Sequence, residues 1–102
     1  MLGGDTFIVA VGDRVLLYQS TSFSLLRALR GHSGTVHCLA FSKDGKRFAS
    51  GGTDKRVVIW STTSEGAKKY MHSSSLQCLS FNPMHQTVFS FDKEKLVSEW
   101  KY

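Results

Sequence analysis

The feature that most constrains this chain is a pair of near-copies set 40 residues apart. His32 and His72 stand at that offset, as do Cys38 and Cys78, Leu39 and Leu79, Phe41 and Phe81, and Trp60 and Trp100. Cys38-Leu39-Ala40-Phe41-Ser42 thus returns as Cys78-Leu79-Ser80-Phe81-Asn82. A weaker unit precedes both, with Tyr18 lying 42 residues before Trp60, at the tryptophan's place in the period. A period of this length is one supersecondary unit that cannot bury its apolar surface alone and must stack on its neighbours.

The strand signals inside the best unit are short and regular. Val36–Phe41 is an apolar run rich in strand formers, and it ends at Ser42-Lys43-Asp44-Gly45-Lys46, whose Asp-Gly is a strong hairpin signal. Arg47–Gly51 follows, then the turn Gly52-Thr53-Asp54-Lys55, then Arg56–Trp60, and a looser stretch Ser61–Gly66 leads to Ala67–Met71. Four short strands per period are the sequence cue for a propeller blade. The later unit repeats them as Leu76–Phe81, Thr87–Phe91 and Leu96–Trp100, and the leading unit offers Phe7–Val11, a Gly12-Asp13 turn, Val15–Gln19 and Ser24–Leu29. Val57-Val58-Ile59-Trp60 is apolar at every position, as a strand covered on both faces must be.

The expected fold is therefore all-β: a partial propeller of about two and a half four-stranded antiparallel blades, short of the roughly four needed for closure. Residues 1–30 are expected to form a partial blade, 31–70 a full one and 71–102 another partial one. Gly4-Asp5-Thr6 falls where the turn after a blade's first strand belongs, and Trp100-Lys101-Tyr102 ends on a third strand, so both ends are expected to cut across blades. Open strand edges and uncovered faces should make such a piece marginal or prone to aggregate on its own.

The best unit reads Gly31-His32, then Phe48-Ala49-Ser50-Gly51-Gly52-Thr53-Asp54, then Val58-Ile59-Trp60-Ser61. This wording resembles the WD-repeat family, with Ser61 where the family usually has aspartate after the tryptophan. The resemblance implies a hydrogen-bonded set of His32, Ser50, Asp54 and Trp60. Asp54 would fix the tautomer of His32, the other ring nitrogen would meet the Ser50 hydroxyl, and Ser50 would accept from the indole N–H of Trp60. Buried polar groups need such partners, and a complete network rigidifies the blade. In the later unit His72 and Trp100 match and Ser90 stands where Ser50 does. Asp92 and Glu94 compete for the aspartate's place because Phe91–Lys95 reads as a lengthened turn, so an incomplete network is expected there. The leading unit has no matching histidine.

Two chemical alternatives use the same residues. A Ser-His-Asp triad would need an exposed nucleophile and an oxyanion hole, whereas Ser50 lies mid-strand. A zinc site drawn from His32, His37, Cys38, His72, Cys78 and His85 lacks the close ligand spacing of such sites, and the 40-residue offsets put equivalent residues on neighbouring blades. Cys38 and Cys78 sit inside apolar runs and read as small buried hydrophobes rather than a disulfide framework. No apolar stretch approaches the roughly 18 residues of a membrane span. Met1-Leu2-Gly3-Gly4-Asp5 lacks the positive start of a secretory signal, and Asn82-Pro83-Met84 is no glycosylation acceptor.

Wider wording narrows the resemblance. Ser42-Lys43-Asp44-Gly45-Lys46-Arg47-Phe48-Ala49-Ser50-Gly51, then Glu65-Gly66, Lys69-Tyr70, His72, Gln77-Cys78, Asn82-Pro83 and His85-Gln86 is similar to the N-terminal propellers of intraflagellar transport complex A subunits. The similarity runs from Asp5 to Gln86 and weakens beyond Val88. It implies a protein-binding scaffold in retrograde ciliary transport and cilium assembly, without catalysis or cofactor. Its partners would be other WD-repeat and helical-repeat subunits of the same particle, in the cytoplasm, the cilium and the ciliary base. Partner docking on the face of the histidine loops would use Ser33, Gly34, Lys55, Arg56, Ser73 and Ser74, and Ser73-Ser74-Ser75 offers hydroxyls for phosphorylation. The opposite face would carry Lys43–Lys46 and Ser61–Gly66. Another WD-repeat adaptor, such as a ubiquitin-ligase substrate receptor, is the alternative in the same class. A basic nucleic-acid module is the alternative from another class, since the formal net charge is +5. The bases are scattered, with no run of five or six, so nucleic acid is not the expected partner, and neither is direct membrane insertion.

Overall fold

The computed structural model describes residues 6–43, 45–62, 67–72, 74–82 and 84–102. Among the described residues, ten strands form three separate antiparallel sheets. The first sheet holds β1 (Thr6–Val11), β2 (Arg14–Gln19) and β3 (Leu25–Arg30). The middle sheet holds β4 (Val36–Phe41), β5 (Arg47–Gly52), β6 (Arg56–Ser61) and β7 (Ala67–Met71) in that order. The last holds β8 (Leu76–Asn82), β9 (Thr87–Asp92) and β10 (Val97–Lys101). Every neighbour in a sheet is the next strand in sequence, so this is an open, all-β array of meanders, part of a propeller that does not close. No helix of the described residues is long and apolar enough to cross a membrane.

Local chemistry sets the strand ends. Gly45 adopts φ 73° between β4 and β5, a left-handed value that costs glycine nothing, and its N–H donates to Ser42 O at 3.0 Å. Most strands run one residue beyond the expected bounds at one end, and two also start one residue later than the expected Ser24–Leu29 and Leu96–Trp100. β3 starts one residue later because the Phe23 N–H (φ 57°) donates back to Gln19 O, and the Gln19 N–H donates to Ser24 O. β10 starts at Val97 because the N–H of Leu96 is bound by the Asp92 carboxylate at 2.9 Å.

The alternation of side chains explains the unbroken apolar run on β6. Val58 and Trp60 point toward the first sheet, packing with Val15, Leu29, Val36 and Phe48. Val57 and Ile59 point the other way, packing with Ala49, Leu76 and Val88. A strand with period two that is covered on both faces turns both sets of side chains into a core, and a polar residue there needs a buried partner. Full burial of side chains of this size stabilises by about 1.5–3 kcal/mol each, so the two inter-sheet cores hold the array together.

The outward faces of the two end sheets are open. Val11 is 54% exposed on the first and Val97 is 63% exposed on the last. Cys78 is exposed on that last face, contrary to the expectation that both cysteines are buried. Cys38, its equivalent, is half-buried against the last sheet, and its thiol donates to Gly51 O at 3.6 Å. The two occupy equivalent positions in different surroundings, because only the middle sheet has a neighbour on that side.

Candidate functional site

Two loops of the middle sheet bring the sequence-marked residues together. His32 lies just before β4, Ser50 on β5, Asp54 in the β5–β6 turn and Trp60 on β6. The Asp54 carboxylate lies 3.1 Å from His32 Nδ1 through both oxygens, which places the proton on Nδ1. Nε2 then accepts from the Ser50 hydroxyl at 2.7 Å, and Ser50 Oγ accepts from Trp60 Nε1–H at 2.9 Å. Each donor and acceptor is used in one direction, from indole to hydroxyl to imidazole to carboxylate. Asp54 also accepts from the N–H of Ser33 at 2.9 Å and of Arg56 at 3.2 Å, with the Arg56 guanidinium 4.0 Å away. Gly31 has a packing reason to precede His32: a Cβ there would lie 2.8 Å from two carbons of the Trp60 ring.

The last sheet carries a second complete circuit, against the expectation of a broken one. His72 Nδ1 lies 3.1 Å from Asp92 Oδ2, its Nε2 bonds the Ser90 hydroxyl, and Ser90 accepts from Trp100 Nε1–H at 2.7 Å. The turn is not lengthened. Lys95 (φ 67°) donates to Asp92 O as Lys55 (φ 69°) donates to Gly52 O, so the two turns match residue for residue. The 40-residue offset therefore pairs Asp54 with Glu94, yet the carboxylate that closes the circuit is Asp92, at the place of Gly52. Glu94 contributes its backbone N–H to Asp92 Oδ1 at 3.0 Å and leaves its side chain in solvent.

Burial works against the charge of Asp54, but the Ser33 N–H, the His32 ring and the Arg56 N–H outweigh it and hold the carboxyl below its ordinary value. Burial likewise opposes the charge of Asp92, and donation from Leu96, His72 and Glu94 holds the carboxyl below its ordinary value. Desolvation pushes the Cys38 thiol up to about 12, with Cys78 adding to the rise.

The connectivity of Asp54, His32 and Ser50 is that of a catalytic triad, but its chemistry is not. Ser50 is fully buried, and its oxygen is already engaged by the Trp60 indole, so no substrate carbonyl can reach it. His32 and His72 use both ring nitrogens in their circuits, and among the described residues no three His, Cys, Asp or Glu side chains converge on a metal-sized point.

What the circuits do is brace a rim. Val36 N–H donates to Gly12 O at 2.8 Å and ties the middle sheet to the first, His72 N–H donates to Lys55 O at 2.7 Å where the chain leaves the middle sheet, and Lys93 N–H donates to Ser75 O at 2.8 Å within the last sheet. Ser33 and Lys55 are exposed on this rim, while Gly34 and Ser74 are half-buried. Arg56 is drawn inward, donating to Gly31 O at 3.3 Å. Ser73 lies outside the described residues.

Blades of this register, two of them fastened by a His-Ser-Asp-Trp circuit, define a WD-repeat propeller protein. Residues 23–61 match the WD domain, G-beta repeat family, and the chain belongs among the WD-repeat proteins. It is similar to the intraflagellar transport protein 122 homolog of Danio rerio, 51% identical over 84 residues that cover 81% of this chain. It is 50% identical over the same share to that of Homo sapiens. The chain spans 7% of the length of these relatives. The solved structure of U3-55K superposes on 99% of this chain with a TM-score of 0.89 at 24% identity, covering 34% of that molecule, and so shares its fold.

Proposed function

We propose that the chain serves as a protein-binding scaffold within intraflagellar transport complex A, acting in retrograde ciliary transport and cilium assembly. The observation that carries this reading is the identity of half the residues over 81% of the chain with intraflagellar transport protein 122 homologs. The geometry is in keeping with it: the marked polar residues are spent on bracing loops, which suits a surface for partners rather than a reaction. The partners are other WD-repeat and helical-repeat subunits of the particle. They dock through Ser33, Gly34, Lys55, Arg56, Ser73 and Ser74. The protein works without catalysis or cofactor, and neither nucleic acid nor the membrane interior is a partner. It resides in the cytoplasm, the cilium and the ciliary base.

Proximity labelling from the full-length parent in ciliated cells tests the proposal. Enrichment of complex A subunits, with signal at the ciliary base, is the expected outcome. Enrichment of a cullin-type ubiquitin ligase in their place would overturn it in favour of a substrate-receptor adaptor.

A further inference from the structure

On the face opposite the histidine rim, the β4–β5 hairpin of the middle sheet meets the last sheet across a groove of about 650 Å³. Lys43, Lys46 and Arg47 line one wall, and Phe81, Gln86 and Tyr102 the other. Among the described residues this lining holds three cations and no carboxylate side chain.

The groove is built rather than incidental. The hairpin is fixed by Ser42 N–H to Arg47 O at 2.9 Å, Arg47 N–H to Ser42 Oγ at 3.0 Å, and Thr62 N–H to Lys46 O at 3.0 Å. The Arg47 guanidinium lies 5.6 Å from the centroid of the Tyr102 ring, and Phe81 meets that ring edge-on at 5.4 Å. An arginine seated on an aromatic face has lost part of its rotamer freedom before any ligand arrives, which lowers the ordering cost of binding. Gln86, which lines the groove and is exposed, is held at φ 54°, a conformation unfavourable for a residue with a Cβ.

We infer that this groove binds an acidic peptide segment of a protein partner. Lys43 and Arg47 take its carboxylate or phosphate groups, and the Gln86 amide takes a backbone group. The volume is that of a small-ligand pocket and admits a few residues of extended chain. A nucleic acid fits less well, because sequence-tolerant binding of single strands needs open aromatic faces for stacking. Tyr102 has Arg47 over its ring and Phe81 against it. The site lies away from the proposed subunit-docking rim and does not depend on the ciliary assignment.

Fluorescence anisotropy of a labelled glutamate-rich octapeptide, titrated with residues 1–102, tests the inference. Binding should weaken as salt rises, as contacts between exposed charges do. Lys43→Glu/Arg47→Glu should weaken it by about tenfold or more, the scale set by two lost charge contacts. Lys68→Glu/Lys69→Glu, which changes net charge equally on the exposed edge strand β7, should leave it within about twofold. Lys43→Gln/Arg47→Gln removes the charge without adding repulsion and should show the same ranking. A phosphopeptide arm and a glutamate arm separate the two sources of negative charge. Equal weakening by both pairs of reversals, unchanged binding in Lys43→Glu/Arg47→Glu, or equally tight binding of a thymidine oligonucleotide would overturn the inference.

Discussion

Replacing Ser50 with alanine removes one oxygen and strands two neighbours. Ser50 is fully buried, His32 is 7% exposed and Trp60 5%. Without the hydroxyl, the Trp60 N–H loses its acceptor at 2.9 Å and His32 Nε2 loses its donor at 2.7 Å. A buried polar group left unpaired costs about 1–3 kcal/mol. The space vacated by one hydroxyl is too small for a water with partners of its own, so solvent cannot restore the bonds. Ser50→Ala should therefore destabilise by about 2–5 kcal/mol. With a urea slope of about 1.5 kcal/mol per molar for a chain of this size, the midpoint should fall by about 1–3 M. Far-UV circular dichroism during a urea titration measures this. A double-mutant cycle isolates the cause: in a Trp60→Phe background no indole N–H remains to be stranded, and Ser50→Ala should cost about 1–2 kcal/mol less. Ser90→Ala should cost less than Ser50→Ala, because Trp100 is partly exposed and water can reach its N–H. A Ser50→Ala midpoint indistinguishable from the wild type, or strict additivity with Trp60→Phe, would refute the idea that the circuit fastens the blade.

Other consequences can be checked on the same protein. Gly31→Ala drives a methyl to 2.8 Å from the Trp60 ring and should cost about 1–3 kcal/mol by overpacking, visible in near-UV circular dichroism and partly relieved by Trp60→Phe. In the native state a thiol reagent should label Cys78 and spare Cys38, whose thiol is pushed up to about 12; Cys78→Ser should then abolish the native signal until denaturant is added. Asp54 and Asp92 are both held below the ordinary carboxyl value, so the folded state binds their protons less readily than the unfolded chain does. The stability they contribute is full above the unfolded value of about 3.9 and is lost as pH falls through their folded values. Asp54→Asn should accordingly flatten the acid limb of a stability–pH curve measured by urea titration.

The strands were legible in the sequence because each unit alternates apolar runs with turn chemistry such as Asp44-Gly45 and repeats the pattern at a fixed offset. The first circuit was legible through resemblance, since His32, Ser50, Asp54 and Trp60 fall in the order and spacing of the WD repeat. The second circuit is not legible in the same way. Spacing marks Glu94 as the partner of Asp54, but spacing does not say where a turn sends its side chains. With Asp92 at the mouth of that turn, the shorter side chain reaches His72 and gathers the N–H groups of Glu94 and Leu96.

By itself the sequence determined that this chain makes blades: period, alternation and turn residues act locally, and local chemistry is enough to choose strand over helix and to place hairpins. The tertiary structure decided what surrounds each residue. Cys38 and Cys78 occupy the same place in the repeat, yet one faces a neighbouring sheet and the other faces solvent. Arg47 and Tyr102 lie 55 residues apart in sequence, and only the packing of one sheet on the next seats the guanidinium on the ring. Burial and charge convergence are properties of neighbours in space, and a repeat specifies its neighbours only when it is stacked.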